Sequence, residues 1–178
     1  MSNQESRASA ARRFFAGVTE HAFHARLGGV DPQLVDYISD LLNRFMRNDD
    51  IFSLRGPTGG RLDQVADMLA EAEARRGEAR RTVHRHIGDF TLFWTGVYPE
   101  VVERMRRTSQ KDSLIDYSAQ GKRAYYVAST IRVQKEFAPT SLLQRLSHEF
   151  EMCVYGLGEV RRQWDNRDDG DFSALFLN

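Results

Sequence analysis

Leu143, Phe150, Leu157 and Trp164 recur at intervals of seven, and Leu146, Cys153 and Val160 fill the interleaved row. Two heptad rows sustained over three repeats predict an amphipathic helix whose apolar seam must be covered by other helices. The rest of the chain follows the same period. Only four prolines interrupt it, and no run of alternating apolar and polar residues with β-branched enrichment points to a strand. The fold class expected is therefore all-α, a single-domain bundle of five to six helices.

The individual helices have readable boundaries. Phe14, Val18, His21 and Ala25 predict a shared inner face for a first helix over roughly residues 10–27, ended by Gly28 and Gly29. Asp31 and Pro32 give an N-cap and a first-turn proline for a second helix, with Leu34, Ile38, Leu41, Leu42 and Phe45 inward and Asp36, Asp40, Asn43, Arg44 and Arg47 outward. Residues 48–60 hold Pro57 and three glycines and read as a loop. Helical spacing resumes at Leu62, and Gly77 either divides residues 61–98 into two helices or weakens a single one. Val83, Ile87, Phe90, Trp94 and Val97 make the following stretch the expected centre of the core. Pro99 starts a short helix with Glu100 and Glu103 early and Arg104, Arg106 and Arg107 late, which suits the helix dipole. A fifth helix is expected from about Ser113 to Phe137, with rows Leu114, Gly121, Ala128 and Tyr117, Ala124, Ile131. Its small residues suggest a close approach by the Phe90, Phe93 and Trp94 ridge. Pro139 precedes the last helix. The expected organisation is a flexible N-terminus over 1–9, a bundle over 10–165, and an acidic linker with an apolar tail over 166–178.

Composition narrows the function classes. The chain has 178 residues, 25 basic and 25 acidic, so it lacks the positive field of a typical nucleic-acid binder. The charge is unevenly placed: residues 75–111 carry nine basic side chains against four acidic ones. Arginine outnumbers lysine 22 to 3, and its planar fork suits bidentate contacts with carboxylate or phosphate. The longest apolar stretch, Phe90 to Tyr98, is far short of the roughly 20 residues of a membrane helix. A polar N-terminal segment without an apolar h-region and a single cysteine, Cys153, together point to a cytoplasmic protein without disulfides.

Few residues carry chemistry. A di-metal carboxylate bundle needs Glu-x-x-His on two helices, and none of the five histidines has a glutamate three residues before it. His21 and His24 share a face but lack companions in sequence, so no metal and no cofactor is expected. The loop GPTGGR over 56–61 lacks the Lys-Ser/Thr ending and preceding strand of a P-loop. Asp89 is the one ionisable residue in the apolar run between Ile87 and Tyr98. A carboxylate there needs partners, for which Arg85 and His86 on the same helix and Arg123 on the next are the candidates. Such a cluster reads as a structural clamp fixing helix register, or as a proton-transfer or anion site. A separate candidate is the tail, where Phe172, Leu175, Phe176 and Leu177 form an apolar strip suited to docking on another chain or on its own bundle.

Three stretches, VHRHIGDFTLFWTGVYPE (83–100), DYSAQGKRAYYVAS (116–129) and LLQRLSHEFEMCVYGLGEVRRQW (142–164), resemble an uncharacterised family of soluble bacterial helical proteins over most of residues 30–165. The resemblance implies a helical bacterial protein and brings no activity, cofactor or catalytic residue with it. The leading functional expectation is a non-enzymatic bundle that works by contact, as an adaptor, regulator or homo-oligomer, away from membranes and nucleic acid. The alternative is a small-ligand or metal site around His86 and Asp89.

Overall fold

The computed structural model describes residues 2–45, 48–134 and 138–166. They form an all-α bundle built from α1 (Ser2–Leu27), α2 (Pro32–Phe45), the single turn α3 (Asn48–Ile51), α4 (Val65–Ala74), α5 (Gly77–Val97), α6 (Pro99–Thr108), α7 (Tyr117–Thr130), α8 (Thr140–His148) and α9 (Phe150–Asp165). Setting the single turn aside, eight helices are present among the described residues, not the five to six expected from periodicity. Two local events account for the difference. Arg75 and Arg76 are extended and Gly77 adopts φ +53°, a left-handed geometry that suits glycine, so α4 and α5 are separate. Pro99 begins α6, the short helix expected there. Glu149 leaves helical geometry at φ −102° and ψ 24°, which divides the expected last helix into α8 and α9.

α5 is the axis of the molecule. Every residue from His86 to Trp94 is buried, and the helix packs on α7 most extensively, then on α9 and α4. Close packing with α7 depends on two glycines. A Cβ on Gly88 would lie 2.6 Å from the Tyr125 ring, and one on Gly121 would lie 2.3 Å from the Thr91 hydroxyl and 2.6 Å from the Phe150 ring. The small-residue seam of α7 thus receives Thr91 and Phe150, where the sequence suggested the Phe90, Phe93 and Trp94 ridge.

Two further expectations change. Asp116 caps α7 by accepting a hydrogen bond from the Ala119 amide at 3.0 Å, so the helix starts at Tyr117 and Leu114 stands outside it, 94% exposed. Among the described side chains of α1 the buried ones are Phe15, Val18, Thr19, Ala22 and Phe23, while His21 and Ala25 face solvent. A second buried carboxylate, Asp112, holds the start of α4 against the loop before α7: it accepts from the Val65 and Ala66 amides at 2.9 Å each and from the Tyr117 hydroxyl at 2.8 Å. No helix among the described residues is long and apolar enough to cross a membrane.

Candidate functional site

Asp89 sits where α2, α5 and α7 meet, and is 1% exposed. Its Oδ1 accepts hydrogen bonds from the Tyr37 hydroxyl of α2 at 2.6 Å and from the Tyr125 hydroxyl of α7 at 2.7 Å. Its Oδ2 accepts from both terminal nitrogens of Arg44 of α2, at 3.2 and 3.1 Å. Both phenols are pushed well above their ordinary pKa, first by burial and then by the adjacent Asp89 charge, so they stay protonated and donate. Gly88 sets this geometry up, because one side of the Tyr125 ring (Cγ, Cδ1 and Cε1) occupies the space a side chain would need one residue before the carboxylate.

Arg44 is oriented from two sides. Its Nε donates to Asp40, one turn earlier, at 2.8 Å, and its guanidinium lies 5.8 Å from the centre of the Tyr37 ring and 5.7 Å from that of Phe45. The guanidinium remains partly open, because it forms one wall of a cleft of about 410 Å³. The cleft runs between α2, the segment following α3, the end of α4 and the first half of α5. Arg44, Arg55, Arg75 and Arg85 line it with Asp50, Ser53, Leu54, Thr82, His86 and Asp89. Its walls are firm: Arg75 is tied to Glu71 at 2.7 Å and donates to the Arg55 carbonyl at 3.0 Å, which joins α4 to the loop.

His86 forms the floor. It is 8% exposed, wedged between the Phe45 and Phe90 rings at 6.0 and 6.3 Å, and its Nε2 has no hydrogen-bond partner. Burial holds its pKa below 6.5; Arg85 and Arg44 act in the same direction, while Asp89 and the Ile51 backbone oppose them. The ring is therefore neutral at neutral pH. A buried ring nitrogen left unsatisfied costs about 1–3 kcal/mol.

The structure brings together Arg85, His86 and Asp89 around one cleft, but not Arg123. That residue is exposed on α7, and its charge acts on His84. The arginine bonded to Asp89 is Arg44, which the helical wheel of α2 assigns to the outside. Tyr37, Arg44 and Tyr125 are the cluster members that sequence reasoning missed. Tyr37 and Arg44 stand seven residues apart and so share a row of α2, the one signal in sequence that could have paired them. Phe172, Leu175, Phe176 and Leu177 lie outside the described residues. Among the described residues no group of three His, Cys, Asp or Glu side chains is placed to hold a metal ion, and His21 and His24 are exposed. Cys153 is buried, and desolvation pushes its thiol up to about 12.

No protein-family model matches the chain, and the searches of curated proteins and of solved structures found no match either. Function therefore has to be argued from the cleft.

Proposed function

We propose that the protein is a non-enzymatic, contact-acting helical bundle, and that the contact it makes is with a small anion-bearing ligand in the arginine-lined cleft. The observation that carries this reading is the convergence of Arg44, Arg55, Arg75 and Arg85 on one recess. A recess of about 410 Å³ lies in the size range of small-molecule sites, and its few fixed polar groups stand beside the apolar wall of Leu54. Guanidinium groups held by carboxylates and backbone are pre-ordered donors, so little side-chain freedom remains to be lost on binding.

Binding rather than chemistry is favoured because the carboxylate best placed to act as a base is already used. Both oxygens of Asp89 are taken, Oδ1 by two phenols and Oδ2 by Arg44. It serves as the fixed back of the site, and a ligand would meet the arginines and His86 instead. A regulatory role follows naturally, since the cleft spans α2, α4 and α5 and an occupant would tie them together.

Thermal unfolding at constant ionic strength tests the reading. Chloride, acetate, succinate and phosphate are compared on the wild type and on the Arg55→Gln/Arg85→Gln double variant. A concentration-dependent rise in Tm with at least one polyatomic anion, lost in the variant, is expected. Equal responses of the two proteins would overturn the proposal.

A further inference from the structure

We propose that residues 172–177 seat in a groove between α1 and α9 of their own chain, on a face separate from the arginine-lined cleft. The groove holds about 760 Å³, with Arg13, Phe14, Gly17, Val18 and His21 of α1 on one side. Gln163 and Asn166 of α9 form the other. The two helices run antiparallel here: Trp164 meets the Phe14 and Phe15 rings at 6.4 and 5.2 Å, and Gly156 lies beneath Phe23. Phe14 is only half-buried, and a Cβ on Gly17 would meet nothing within 4 Å. Gly88, Gly121 and Gly156 each lie under a ring of the bundle, whereas Gly17 leaves its space open beside Phe14 and Val18. A bare backbone between two apolar side chains is what a closely packed neighbour requires.

The chain delivers this occupant to the groove. Asn166 stands at its edge, and residues 167–171 between Asn166 and Phe172 give a reach of about 20 Å. The α1 wall from Arg13 to His21 is about 12 Å long, so the segment reaches all of it once the chain turns back, which Gly170 permits. Phe172, Leu175 and Phe176 stand at offsets 0, 3 and 4, one side of a helical turn, the spacing by which a helix seats its apolar face in a groove. Charge agrees. Asp168, Asp169 and Asp171 outweigh Arg167 in the linker and arrive beside Arg13, and among the described residues no acidic side chain lines the groove. Asp165 at the end of α9 is already held by Arg161 at 2.8 Å. A tether this short presents the segment at an effective concentration of the order of millimolar, against which a second copy at micromolar concentration competes poorly.

A nitroxide spin label at Ala174→Cys, on the opposite side of the turn from Phe172 and Phe176, tests the proposal in ¹H–¹⁵N spectra of the full chain. Cys153 is buried and its thiol is pushed up to about 12, so the label goes to position 174. Amides of residues 13–21 are expected to lose more than half their intensity, while those of residues 78–82 at the far end of α5 keep theirs. Mixing spin-labelled chain without ¹⁵N with unlabelled ¹⁵N chain is expected to leave residues 13–21 undimmed. Two variants of the labelled chain are each expected to restore the signals: Phe172→Asp/Phe176→Asp, and Gly17→Trp, whose ring enters the groove without meeting the bundle. Unfolding curves establish that both variants are folded. Undiminished signals at residues 13–21 in the labelled chain would overturn the proposal, as would a loss that persists in either variant. Equal loss in the mixed sample would place the segment on a second copy and overturn it as well.

Discussion

Replacing Asp89 with asparagine separates the two halves of the buried cluster. The amide oxygen can still accept from the Tyr37 and Tyr125 hydroxyls, whose bonds are 2.6 and 2.7 Å long. The amide nitrogen then faces the Arg44 guanidinium, and the two bonds at 3.2 and 3.1 Å are replaced by opposed donors. Hydrogen bonds to charged groups are worth about 1.5–3 kcal/mol each, and removing one partner of a buried ion pair costs about 3–5 kcal/mol. Two features reduce the loss here: the Arg44 side chain is 23% exposed, and it keeps Asp40. A net cost of about 3 kcal/mol remains, which for a domain of this size corresponds to a fall in Tm of roughly 6–12 °C. Urea unfolding followed by tryptophan fluorescence measures it, read as a change in midpoint at constant m-value. Tyr37→Phe and Tyr125→Phe are expected to cost about 1–2 kcal/mol each, and less in the Asp89→Asn background, where the acceptor no longer carries a charge. Asp89→Asn within about 0.5 kcal/mol of the wild type would refute the reasoning.

Other expectations follow from neighbouring features. Gly88→Ala puts a methyl group within 2.6 Å of the Tyr125 ring and should cost about 3 kcal/mol in urea unfolding, the upper end of overpacking; a neutral result would mean that the α5–α7 approach is looser than described. Asp112→Ala removes the acceptor of the Val65 and Ala66 amides and of the Tyr117 hydroxyl, and a loss of about 2–4 kcal/mol is expected, recovered in part by Asp112→Asn. Burial lowers the pKa of both His84 and His86 in the folded state, so the unfolded chain takes up protons first as the pH falls. Stability should be level above about pH 6.5 and decline below it by up to about 1.4 kcal/mol per pH unit for each histidine, until the folded pKa is passed. Unfolding curves at pH 7.5, 6.5 and 5.5 check this, and a rise in stability towards pH 5.5 would contradict it.

Much of the packing was legible because periodicity reports which side of a helix is covered. Leu34, Ile38, Leu41, Leu42 and Phe45 of α2 are all fully buried, as their spacing required. Both heptad rows from Leu143 to Trp164 are also buried throughout, although the helix is interrupted at Glu149. That is why the helix count was underestimated: a seven-residue row keeps its side through a one-residue break and so cannot reveal it. α1 misled in a different way, since the face beginning at Phe14 is rotated from the true one by about one residue, towards Phe15, Val18 and Ala22.

The site was half legible. A lone carboxylate in an apolar run announces that it needs partners, and Asp89 was identifiable on that ground. The partners themselves depend on how α2 and α7 lie against α5, a tertiary fact that no local pattern contains. Arg44 carried the wrong signal outright, because an arginine at the edge of an apolar stripe reads as solvated. Tyr125 was hidden as one aromatic among several, and only the glycine it covers at position 88 marks it as placed.

The most direct test of the cleft as the functional surface is a titration of ¹⁵N-labelled protein with phenyl phosphate, followed in ¹H–¹⁵N spectra at constant ionic strength. Saturable shifts are expected at residues 44, 50–55, 75 and 82–89, with the arginines of α6 unmoved. Shifts spread without saturation over the arginines of α6 as well as the cleft would contradict the account, for they would mark a general attraction between an anion and an arginine-rich surface.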